Sequence, residues 1–230
     1  MIHPETEGVV TDGTAAKSRR SFLKTAAIAA PATVLASTMA STAHAASKPT
    51  LPSFYEGSTA RTFAEIRGDE NAHVAYLQNA LGSNAFPAPA FQNLTIPANN
   101  PFLFAATATV FENTGVGAYL TGGAFLTQPT LAKASGILAV EAYHSGYLNT
   151  LINQPIVLNG QPIALPFSLS GVLQNISPYV VDPNLGPALV GAIGTTPSPE
   201  NDIAILRFAL LLEYLEAAYY NLNVKTFFGV

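Results

Sequence analysis

The sequence predicts an all-α protein, a four-helix bundle with two long crossover connections. Three observations point there. Four segments of roughly 20 residues carry helix start and stop signals. The connections Ser83–Asn99 and Gln154–Pro197 are long and rich in Pro, Asn and Gly, whereas that from Gly122 to Gln128 is short. Glutamate recurs with histidine or tyrosine at helical spacing, once in each segment.

The chain opens on a leader. Ser18-Arg19-Arg20-Ser21-Phe22-Leu23-Lys24 matches the twin-arginine export motif, an Ala-rich stretch follows from Thr25 to about Ala43, and Ala43-His44-Ala45 is an A-x-A cleavage site. Pro31 and several Ser and Thr make that stretch a poor permanent membrane span. Residues 1–45 are therefore expected to be a signal peptide. Residues 46–230 are expected to be one exported domain, periplasmic or secreted, with no stable membrane insertion after cleavage.

The first helix is predicted over Ser58 to Leu81, stopping at Gly82, a residue suited to the position just past a helix end. The second opens at Asn100-Pro101, a capping side chain followed by proline at the first helical position, and ends at Gly122-Gly123. The third runs from near Pro129 to about Asn153, with Pro155 beyond it. The fourth opens at Ser198-Pro199-Glu200 and continues to about Asn223. The short link between the second and third makes them an antiparallel hairpin. Even the shorter crossover can extend to roughly 50 Å, enough to pass a helix of about 30 Å. A short helix is expected over Leu169–Ile176.

Composition narrows the chemistry. With 49% hydrophobic and 10% charged residues, the chain suits a compact domain with a large core. The net charge is −4 and no basic run lies outside the leader, which argues against nucleic acid, since phosphate contacts need clustered Lys and Arg. There is no cysteine, so disulfides, thiolate zinc sites, iron–sulfur clusters and covalently attached haem are excluded. Any metal is held by oxygen and nitrogen.

After the leader the chain has two histidines, and each follows a glutamate by three positions: Glu70-x-x-His73 and Glu141-x-x-His144. On a helix that offset puts both side chains on one face. The likeness extends to Glu70-x-x-His73-x-x-Tyr76-Leu77 against Glu141-x-x-His144-x-x-Tyr147-Leu148, which reads as an internal duplication. The other two helices carry Glu112 with Tyr119 and Glu213 with Tyr220, both E-x6-Y. One Glu from each of two helices, with Glu-x-x-His from each of two others, is the ligand pattern of a di-metal carboxylate centre in a bundle. The glutamates sit in apolar surroundings such as Val110-Phe111-Glu112 and Leu211-Leu212-Glu213. None of the 6 basic residues after the leader is placed to pair with four inward carboxylates. Unpaired buried carboxylates are costly, and two divalent ions neutralise four of them. The expected ligands are Glu70, His73, Glu112, Glu141, His144 and Glu213, with Tyr119 and Tyr220 donating hydrogen bonds that orient carboxylates. Glu216, one turn beyond Glu213, is the alternative to it. Carboxylate-rich ligation suits two iron ions, with manganese the other candidate.

At these residues the chain resembles the ferritin-like superfamily of rubrerythrins and bacterioferritins, and within it the desiccation-related ferritin-like group. Phe111-Glu112-Asn113-Thr114-Gly115-Val116-Gly117-Ala118-Tyr119 and Gly136-Ile137-Leu138-Ala139-Val140-Glu141-Ala142-Tyr143-His144 are similar to that group's last two helices. Phe208-Ala209-Leu210-Leu211-Leu212-Glu213-Tyr214-Leu215-Glu216-Ala217-Ala218-Tyr219-Tyr220 resembles its first helix, here placed last, so the order reads as a circular permutation. The resemblance implies iron oxidation, or reduction of O2 or peroxide. A stress-related scaffold without catalysis is the other reading. Association into a homodimer through apolar surface stays open.

Overall fold

The computed structural model describes residues 57–230, so the expected signal peptide and the start of the exported chain at Ala46 lie outside the described residues. Among the described residues the order is α1 (Ser58–Leu81), α2 (Pro101–Gly123), α3 (Gln128–Leu151), α4 (Leu169–Ile176), α5 (Leu185–Gly191) and α6 (Pro199–Phe228). The all-helical architecture is the one expected, with α1, α2, α3 and α6 as the four long helices.

Local chemistry starts these helices where the sequence suggests. The Asn100 side chain accepts from the Leu103 amide at 3.0 Å, with Pro101 opening the first turn of α2. Ser198 accepts from the Asn201 amide at 3.1 Å, ahead of Pro199. Gly82 ends α1 at a φ of 53°, a left-handed angle that a side chain disfavours.

The four long helices are not equivalent. In α2, 17 of 23 residues are buried, against 7 of 24 in α1. The packing explains the contrast: α1 lies along α6, α2 lies along α3, and the two pairs join mainly through α2 and α6, while α1 and α3 barely touch. The second crossover then covers the joined side, with α4 against α2 and α5 against α6. Phe167 ahead of α4 donates its amide to the Gly117 carbonyl at 3.1 Å, and a side chain at Gly117 would run into the Phe167 ring. Leu210, Leu211, Leu215, Tyr219 and Tyr220 of α6 are all essentially inaccessible. Burial of each such leucine contributes about 1.5–3 kcal/mol.

Two features depart from the sequence reading. Helix α6 continues to Phe228, beyond the expected end at Asn223. Asn223 does not cap the helix; it clamps the first crossover, donating to the Leu94 carbonyl at 2.9 Å and accepting from the Ile96 amide at 3.0 Å. The added turn is held by aromatic stacking of Phe227 on Phe104 and Phe228 on Phe63. Helix α5 was not foreseen, because its seven residues contain Gly186 and Pro187 and read as a loop. The two crossovers also meet: Gln92 and Val181 donate their amides to Tyr179 and Ala90 at 2.8 and 3.1 Å.

Candidate metal centre

Glu70 and His73 of α1, Glu141 and His144 of α3, Glu112 of α2 and Glu213 of α6 meet in the middle of the bundle. All four glutamates are fully buried, and the histidines are 8% and 6% exposed. His73 Nδ1 lies 3.4 Å from Glu70, 3.2 Å from Glu141 and 3.2 Å from Glu213. His144 Nδ1 lies 2.9 Å from Glu70 and 3.3 Å from Glu112. The two imidazole centroids are 6.4 Å apart.

These donors sort into two overlapping sets. Glu70, His73, Glu141 and Glu213 form one, and Glu70, Glu112, Glu141 and His144 the other, each with donor atoms within 4.8 Å of one another. Glu70 and Glu141 belong to both sets and so stand where bridging carboxylates would. Glu112 and Glu213 each belong to one.

The tyrosines hold those two single-set carboxylates from the opposite helix. Tyr119 of α2 donates to Glu213 of α6 at 2.5 Å, and Tyr220 of α6 donates to Glu112 of α2 at 2.5 Å. Burial first, then the adjacent carboxylate charges, pushes both phenols well above their usual range, so both remain protonated donors.

Three participants escaped the sequence reading or changed role in it. Asp69, half-buried, contacts His144 Nε2 at 3.1 Å and orients the ring from its far side. Its position directly before Glu70 was the only available signal. Glu216 lies outside both donor sets, one of which includes Glu213, yet it is buried at 3% exposure beside Glu141. Gly115 makes room for both, since a methyl group there would overlap the Glu141 carboxylate.

Electrostatics show the strain of assembling this much acid in the core. Burial, then the charge of Glu112, pushes Glu70 up to about 7, although the two imidazoles beside it pull the other way. Burial, then neighbouring carboxylates, raises Glu141 and Glu216 well above the usual range. For His144, burial opposes the charged form, but Glu112 and Glu70 outweigh it and push it up to about 12. His73 is raised in the same way by Glu141, Glu213 and Glu70. Hydrogen bonding within the protein still leaves the centre incomplete. Among the described residues eight buried side-chain atoms have no hydrogen-bond partner, and six belong to this cluster: both oxygens of Glu70 and of Glu141, Glu112 Oε2 and His144 Nδ1. Buried polar atoms are rarely left so. A pair of cations seated among them fits the donor types and the charge.

The family model described as a ferritin-like domain matches residues 35–154, just over half of the chain. The chain belongs to the ferritin-like domain family. The match takes in α1, α2 and α3 of this ferritin-like chain, with five of the six expected ligands. Comparison with curated proteins and with solved structures gave no match. Glu213 therefore enters the site on the geometry of α6. No described helix is long and apolar enough to cross a membrane.

Proposed function

We propose that this protein holds two iron ions in the α1–α2–α3–α6 centre and uses them in iron oxidation or in reduction of dioxygen or peroxide. The observation that carries the reading is the convergence of four fully buried glutamates and two buried imidazoles on two donor sets sharing Glu70 and Glu141. When bound, a ferrous pair supplies two electrons, so that O2 with two protons becomes H2O2, or H2O2 with two protons becomes two H2O.

The chain's own residues do the rest. Glu70 and Glu141, common to both donor sets, would be shared between the two ions. Each imidazole marks one position, and Asp69 fixes the ring of His144. Tyr119 and Tyr220 hold Glu213 and Glu112 in place. The apolar walls of α2 and α6 exclude water from that side. Glu70 holds a proton because it is buried, and the imidazoles hold theirs because carboxylates surround them, so binding of cations here would release protons and would weaken as pH falls.

The proposal includes export by the twin-arginine route and a permuted helix order relative to the desiccation-related group, both supported by the sequence motifs given above.

A metal-free scaffold is the second reading, favoured by one observation: each imidazole Nδ1 lies 2.9–3.4 Å from carboxylate oxygens, so protonated rings would balance part of the charge. Metal quantification separates the two. Wild-type protein is expected to carry about two irons per chain, and the His73→Ala/His144→Ala double variant to lose them. Equal metal in both proteins overturns the assignment, and metal-free wild type with full thermal stability favours the scaffold.

A further inference from the structure

A cluster of uncharged polar side chains lies between α2 and α3, beside the metal centre but outside both donor sets. It consists of Asn113 of α2 with Ser145 and Asn149 of α3, all buried. We propose that these three are positioning residues: they fix the register of α2 against α3 and so hold Glu112 and His144 at the spacing that seats the cation of their donor set. The inference rests on the two-ion reading and concerns the protein frame around one of the two ions.

The cluster is closed on itself. Asn113 Nδ2 donates to Asn149 Oδ1 at 2.9 Å and to the Thr109 carbonyl at 2.8 Å. Asn113 Oδ1 accepts from Ser145 Oγ at 2.9 Å and from Asn149 Nδ2 at 3.3 Å. Asn149 Nδ2 also reaches the Ile156 carbonyl at 3.1 Å, which ties in the start of the second crossover. None of the three has a buried side-chain atom without a partner, unlike the carboxylates beside them. A buried amide pair satisfied in this way resists sliding, because a shifted register strands its donors and acceptors.

Position gives the cluster its leverage. Asn113 follows Glu112 and Ser145 follows His144 in the chain, so the Ser145–Asn113 bond joins the two backbone segments that carry those donors. The hairpin turn also links these helices, but it lies about 17 Å along α2 from Glu112. A slip of one residue, about 1.5 Å, is large against the 3.3 Å from His144 Nδ1 to Glu112. Sites of this kind tolerate displacements of about 0.5 Å. The other donor set depends less on this register, since Glu70, His73 and Glu213, three of its four members, stand on α1 and α6.

The test loads full-length protein with Fe(II) under anaerobic conditions and counts ions after gel filtration. Asn113→Leu/Asn149→Leu replaces the amide pair by apolar side chains of similar volume, a change that leaves no stranded partner and keeps the helices packed. It is expected to hold about one ion where wild type holds about two, with thermal unfolding close to that of wild type. Loading with Mn(II) gives a spectroscopic signature: a coupled pair in wild type, and the resolved hyperfine spectrum of an isolated ion in the variant. Should that variant fail to fold, Ser145→Ala decides. Its second ion, titrated against a chelator, should bind about tenfold more weakly than in wild type while the first is unchanged. Variants that keep both ions, or that weaken both alike, overturn the positioning role and leave the two-ion reading standing. Wild type that takes up no metal overturns the two-ion reading, and the positioning role with it.

Discussion

The two sides of the bundle are built on different terms. On the α2–α6 side the helices are buried, rich in small and apolar residues, and covered by α4 and α5. Their contribution to the centre is one glutamate each, tied by a tyrosine from the other helix. On the α1–α3 side the helices barely touch, and each supplies a glutamate common to both donor sets together with a histidine. The difference teaches how one interior can be both rigid and reachable. The covered side fixes geometry through interlocked hydrogen bonds, while on the seam the histidine edges and Asp69 keep some contact with solvent.

The strongest way to break this comparison is to delete one carboxylate from each side. Glu141→Ala removes a residue common to both sets and is expected to take metal content from about two ions to none, whereas Glu213→Ala should leave about one. Metal analysis after gel filtration reads the contrast. Equal losses would show that the sides are interchangeable.

A second test uses pH. Glu70 in the folded metal-free protein titrates near 7, above its ordinary value of 4.5. Its proton therefore stabilises the fold fully below about pH 4.5, and that stabilisation is lost as pH rises through about 7. The imidazoles are raised too, so their contribution is lost with the same sign from about pH 6.5 upward. Stability of the metal-free protein should therefore fall between pH 4.5 and 8, by about 3 kcal/mol from Glu70 alone, with Glu141, Glu216 and the imidazoles adding in the same direction. Metal-loaded protein should lack this decline, because the ions replace the protons. Urea melts of both forms measure it.

On the covered side, Tyr119→Phe and Tyr220→Phe each remove one hydroxyl from a buried carboxylate. Each is expected to lower metal affinity by about 10–100-fold with a loss of roughly 1–3 kcal/mol in stability, read by competition with a chelator and by thermal melts. On the seam, Asp69→Asn should be the mildest change, lowering affinity by about tenfold at the low end of the same range. Its partly exposed carboxylate leaves water able to take its place at His144 Nε2. A larger effect for Asp69 than for the tyrosines would reverse the assignment of rigidity to the covered side.

Much of this molecule is legible along the chain. The four long helices start close to where Pro, Asn and Ser place them, because capping is a local interaction that needs no tertiary partner. The pairing of Glu70 with His73 and of Glu141 with His144 follows from the helical repeat alone. Tertiary structure decided the rest. Tyr119 and Tyr220 share their helices with Glu112 and Glu213, yet each serves the glutamate of the opposite helix, since both tyrosines reach across the α2–α6 contact. The choice between Glu213 and Glu216, one turn apart, depended on the rotation of α6 about its own axis. The extra turn of α6 and the helical state of Leu185–Gly191 came from aromatic stacking and from packing against α6, forces that act between segments far apart in the chain. Spacing along a helix is set by covalent geometry, whereas which helix faces which is set by how the whole core closes.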